Sequence, residues 1–279
     1  DKEPDAASTP GIVAAQRLAG QVRSALGEDQ IDLMLVFLTS HFAANAAALI
    51  AELRRLLNPG ALLGCTAESV VATDREIERE PAISLIAARL PGAQITPFKL
   101  SAEHLSEWAT ILSDACLFSE ALGVPQAPKL FILLSDPFSV PIDAAGELGI
   151  SVLQAFDEHF PDVPVVGGVA SGGAYPGSNV MILNELASSV GIVGVAVSGD
   201  IDIDVVVSQG CRPIGRPLLV TKARQNMLLG LDGEKPMTVV QQMVETLSEE
   251  DRHLLQTGGL YVGRAVRQVV DAADALGRG

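Results

Sequence analysis

Two unbroken apolar runs constrain this chain more than any other feature: "DLMLVFLTSHF" (Asp32 to Phe42) and "PKLFILLSDPF" (Pro128 to Phe138). A strand with one wet face alternates apolar and polar residues, whereas a run without alternation belongs to a strand covered on both faces. Each run turns polar at its end and then reaches a phenylalanine. An amphipathic segment follows each. Leu49, Ile50, Leu53, Leu56 and Leu57 share one helical face in the first, and Leu148, Val152, Leu153, Phe156 and Phe160 in the second. Asn58-Pro59-Gly60 stops the first helix, and Pro161 to Pro164 stops the second.

The same order then repeats once more. "LLGCTAES" (Leu62 to Ser69) and "VVGGVASGG" (Val165 to Gly173) are apolar, break at glycine and leave through small residues. Further strands are expected at 82–90 and 94–100 after the first, and at 179–185, 190–199 and 201–210 after the second. A helical connector carrying Trp108 separates the copies. The expected fold class is α/β: mixed β-sheets with helices, an internally duplicated β-α-β-β-β unit around a pseudo-twofold, arranged as an αββα sandwich because each unit brings one covering helix. The domain reading places a tail and leading helix at 1–30, with 1–10 expected to be disordered. The duplicated domain spans 31–210, with repeats at 31–100 and 129–210 and the connector at 101–128. The extension at 211–279 holds a hairpin, a helix over Met237 to Leu255 and a strand over Gly258 to Ala265.

Composition narrows the function. At 279 residues the chain can bury a large core without a disulfide or metal staple. With 48% apolar residues but only 8 Phe, 2 Tyr and 1 Trp, that core is aliphatic. A net charge of −15 argues against nucleic acid or an anionic membrane as partner. No apolar run approaches the roughly 20 residues that span a bilayer. Three cysteines (Cys65, Cys116, Cys211) and four histidines show no metal-ligand spacing, so no metal or cofactor is expected. The odd cysteine count suits a reducing compartment, the cytoplasm.

Glycine is chosen where φ must be positive or where another backbone or a ligand comes close. The two glycine turns can therefore serve close packing between repeats, or line one shared crevice at the strand ends. The first turn offers Gly64, Cys65, Thr66, Glu68 and Ser69. The second offers Gly167, Gly168, Ser171, Gly172 and Gly173, with Tyr175 beside them. A local charge inversion adds to this: Arg212, Arg216, Lys222 and Arg224 lie between Val205 and Leu231 with no acidic residue among them. Arg212 and Lys222, next to Cys211, are candidates to hold a ligand carboxylate, Arg by a bidentate contact. The alternative is a set of ordinary ion pairs. Gly168-Val169-Ala170-Ser171-Gly172 does not fit the G-x-S-x-G nucleophile elbow. P-loop and dinucleotide glycine patterns are lacking. No residue is assigned a catalytic role.

With these blocks laid out, the chain resembles the FIST (F-box and intracellular signal transduction) family. "GCRPIGRPLLVTKARQNMLLGLDGEKPMTVV" (Gly210 to Val240) carries the most specific likeness, and the two glycine blocks support it. Gln225 and Met237 depart from the pattern. The likeness runs over about 32–264, and the family's C-terminal module is expected to be missing. It implies a cytoplasmic sensory domain for a small ligand, amino acids and other small carboxylates being candidates, that signals to an output protein or domain. A cysteine- or serine-based enzyme and an F-box-associated protein-recognition scaffold are the alternatives.

Overall fold

The computed structural model describes residues 10–71, 75–100, 105–124, 127–139, 151–206, 214–224, 227–258, 260 and 263. The chain divides into two compact units, Asp1–Val205 and Val206–Gly279.

The first unit is built on the two apolar runs, which become β1 (Leu33–Thr39) and β7 (Leu130–Ser135). Strand β1 leads through a 3-10 turn into α2 (Ala46–Leu57) and back to a parallel neighbour, β2 (Ala61–Ala67). Strand β7 leads to α5 (Val152–His159) and back to β8 (Val165–Val169), again in parallel. Local chemistry sets the helix ends. Asn58 stops α2 in the left-handed conformation with φ 45°. Ser151 and Gln154 form a reciprocal capping box at the start of α5.

Each β-α-β unit then gains antiparallel strands, but the chain exchanges them between sheets. Strand β5 (Ile83–Ala88) pairs with β1, while the next strand, β6 (Ala93–Leu100), crosses to the other sheet and pairs with β11 (Ile192–Gly199). Conversely β9 (Met181–Leu183), which follows β8, returns to the first sheet beside β2, with β10 (Leu186–Ser188) outside it. The orders are β10-β9-β2-β1-β5 and β6-β11-β7-β8. Arg54 of α2 reaches the exchanged strands. It donates to Asn184 Oδ1 (3.3 Å) and pairs with Glu185 (2.7 Å) in the β9–β10 turn. A small separate hairpin joins β3 (Ser69–Val71) to β4 (Glu76–Glu78).

Three buried clusters stack the layers. Leu33, Leu63, Cys65 and Met181 of the first sheet meet Leu134, Val193 and Val195 of the second in a shared middle core. The other face of the first sheet (Met34, Val36, Leu62) packs on Ala15 and Ala19 of α1 (Pro10–Leu26) and on Leu49, Ile50 and Leu53 of α2. The far face of the second sheet (Phe98, Phe131) packs on α3 (Leu105–Ser113), α4 (Ala115–Leu122) and Phe156 of α5. This is an αββα sandwich. Its covers are fuller than one helix per unit, because the leading helix and the connector both join them. The aromatic residues gather in the third cluster, where Phe131 and Phe156 meet edge-on at 4.8 Å between ring centres.

Two expected elements differ. Residues 201–206 are not a strand: the chain leaves β11 through Gly199 in the left-handed region (φ 95°), and the Asp200 N–H donates to the Gly92 carbonyl (2.8 Å) in a turn beside the start of β6. The expected helix over Met237 to Leu255 is two, α6 (Pro236–Glu245) and α7 (Glu249–Gly258). Ser248 restarts it, its Oγ accepting from the Asp251 N–H (3.1 Å) as an N-cap would. In this second unit the expected hairpin is present as β12 (Val220–Arg224) and β13 (Met227–Leu231). Of the strand expected over Gly258 to Ala265, Gly258 ends α7, residues 260 and 263 carry no strand, and the rest, like Leu148 and residues 1–9 and 207–210, lie outside the described residues.

Candidate functional site

The carboxyl ends of the two β-α-β units meet. Beyond β8, the N–H groups of Ser171 and Gly172 both donate to the Thr66 carbonyl at the end of β2 (3.3 Å each). Ser171 Oγ accepts from the Glu68 N–H (3.1 Å). A Cβ on Gly172 would come within 2.7 Å of Thr66 Cβ, so only glycine lets the second loop lie this close on the first.

Beneath the contact lies a buried polar chain. Thr66 Oγ1 accepts from Val180 N–H (2.9 Å) and donates to Asn179 Oδ1 (3.3 Å). Asn179 Oδ1 also accepts from the Gly173 N–H (2.8 Å), and its amide donates to Asp136 Oδ1 (3.0 Å). Thr66, Asn179 and Asp136 are fully buried. Asp136 stands one residue past the end of β7, and its second carboxyl oxygen, Oδ2, is the buried side-chain oxygen without a hydrogen-bond partner among the described residues. The sequence reading passed over Asp136 and Asn179. The signal available was the polar pair Ser135-Asp136 closing an apolar run, as Thr39-Ser40 closes the other.

The residues selected from sequence divide three ways. Thr66, Glu68, Ser171, Gly172 and Gly173 come together at this junction, and Ser69 opens β3 directly after it. Gly64 and Gly167 serve packing instead. Each sits opposite its partner in a parallel strand, where a Cβ would run into the carbonyl oxygen of Val36 or Leu133. Gly168 is exposed on edge strand β8 with open space around its Cα. Cys65 points into the middle core, and burial pushes its thiol pKa up to about 12. A thiol so far from ionising is a poor nucleophile.

Cys211 and Arg212 lie outside the described residues. Lys222 is exposed on β12 of the second unit. Arg216 there pairs with Asp232 at 2.6 Å, the ordinary ion-pair outcome. The Leu219 N–H first, and Arg216 second, hold the Asp232 carboxyl below its usual range. An open groove of about 690 Å³ runs between α4 and α5, lined by Cys116, Glu120, His159 and Phe160, and none of the loop residues lines it. Among the described residues no cluster of His, Cys, Asp and Glu is suited to a metal ion. No helix among them is long and apolar enough to cross a membrane.

A profile of the FIST N domain matches residues 32–234, spanning both β-α-β units, their exchanged strands and the β12–β13 hairpin. The chain belongs to the FIST N domain family. The family is one of sensory, signal-transduction domains. The chain is 32% identical over 253 residues to the uncharacterized protein Mb0898c of Mycobacterium bovis, covering 91% of this chain and 61% of that protein. It is 30% identical over 269 residues to the uncharacterized protein MT0656 of Mycobacterium tuberculosis, covering 95% of this chain and 66% of that protein. It thus spans less than two thirds of the length of these relatives.

Proposed function

We propose that this FIST domain senses a small ligand, an amino acid or another small carboxylate, in the cytoplasm, and relays its binding to an output protein or domain. The observation that carries the reading is the contact of the Ser171–Gly173 loop with Thr66 and Glu68 over a buried polar chain. Ligand crevices in α/β folds favour the carboxyl ends of parallel strands, and here two such ends converge. The junction's N–H groups and hydroxyls bond one another while the loop is seated, and the buried Asp136 Oδ2 is the polar atom left for a small polar molecule to satisfy. Because the glycine loop touches both β-α-β units, a ligand that displaced it would alter contacts of both sheets at once. Such a change is what a partner can read.

The enzyme alternative is disfavoured by the unionised Cys65 thiol and by Ser171, whose Oγ is engaged with the Glu68 N–H. A thermal-shift screen of amino acids and small carboxylates tests the proposal. A ligand present at 100 times its dissociation constant stabilises by about 2.7 kcal/mol, a readily measured shift. A screen in which no compound moves the melting point sinks the small-molecule reading.

A further inference from the structure

We propose that Asp136 is the anchor for a positively charged hydrogen-bond donor, so that the ligand of this domain carries a primary ammonium group. The inference rests on the ligand-sensing reading above and names the chemistry of its site. A buried carboxyl oxygen with no donor is costly to keep, and native proteins leave few such groups. Asp136 is 0% exposed, yet only Oδ1 is satisfied, by Asn179. The contrast with Thr39, the buried residue ending β1, is direct. Its Oγ1 accepts from the Ala82 N–H (3.0 Å), donates to the Ala82 carbonyl (3.4 Å) and lies 3.2 Å from His41 Nδ1.

An ammonium meets what Oδ2 lacks, since it donates and carries the opposite charge. A ligand carboxylate would instead meet like charge there. The carboxyl is coupled to the glycine loop. Asn179 bridges the carboxyl to the Gly173 N–H, and Gly173 belongs to the irregular, largely exposed segment 171–178. A donor bound at Oδ2 acts on that loop through the Asn179 amide.

The test uses alanine and its two one-group truncations: ethylammonium, which lacks the carboxylate, and propionate, which lacks the amine. Each is titrated into the isotopically labelled protein while the Asn179 side-chain amide signal is followed. In the wild type, alanine and ethylammonium should shift that signal and propionate should not. Asp136→Asn keeps the shape and the Asn179 contact but removes the charge and should weaken both ammonium compounds about tenfold or more. The free variant should melt close to the wild type, since it keeps the Asn179 bond and exchanges one unpartnered buried polar atom for another. The selectivity of the wild type stands as a test even for a variant that folds poorly. Binding of propionate alone, or ammonium binding that Asp136→Asn leaves unchanged, overturns the assignment while leaving a ligand site in place. If none of the three binds, the assignment falls, and the metabolite screen then decides separately whether the sensing reading survives.

Discussion

The carboxyl ends of β1 and β7 hold equivalent places in two β-α-β units and are finished in opposite ways. At the end of β1 the buried hydroxyl of Thr39 closes on Ala82 just before β5, and every bond is local to the first sheet. At the end of β7 the polar group is a carboxyl, and it is reached by Asn179, which enters from the segment leading to β9 in the other sheet. One end is sealed by its own unit. The other is completed from across the sandwich and left one bond short. The two β-α-β units thus share a topology and differ in how their polar strand ends are satisfied.

The largest effects that could break this comparison come from the paired glycines. Gly64→Ala puts a Cβ against the Val36 carbonyl in a central strand and should destabilise by about 3 kcal/mol in denaturant titration. Gly167→Ala meets the Leu133 carbonyl, but β8 is an edge strand free to shift, so its cost should be smaller despite φ of +147°. Equal or reversed costs would mean that the two ends are not held as described.

Next in size are the two buried threonines. Thr39→Val strands the Ala82 N–H and should cost about 2 kcal/mol, with hydrogen exchange in the 171–178 loop unchanged. Thr66→Val strands the Val180 N–H at a similar cost, but should also speed exchange at Gly173 by freeing Asn179. Faster loop exchange in Thr39→Val would erase the distinction between a local and a shared end.

The smallest expected effect is at Ser171. Its Oγ accepts from an exposed N–H that water can serve instead, so Ser171→Ala should cost only about 0.5 kcal/mol. A loss several times larger, measured in the same titrations, would make the loop a structural clamp rather than a movable cover.

Much of this was legible from residues alone, for a physical reason. Doubly covered strands need continuous apolar runs, which placed β1 and β7, and the helical faces of Leu49-Leu53 and Val152-Phe156 follow from the 3.6-residue period. The glycines of both turns were found because close approach leaves glycine little competition. What they do was not readable: Gly64 and Gly167 touch carbonyls of their own sheets, while Gly172 touches the other loop.

Local pattern therefore determined the two doubly covered strands, their covering helices and the two glycine turns, since each depends on neighbours within one or two turns of chain. Only the tertiary structure decided which sheet β6 and β9 join, and with them which polar groups gather at the junction. Strand exchange brings Asn179 to Asp136 across 43 residues of sequence. Pairing partners so far apart leave no periodic trace, because either sheet offers the same backbone hydrogen bonds and an apolar face. The orphaned oxygen of Asp136 exists only once that choice has been made.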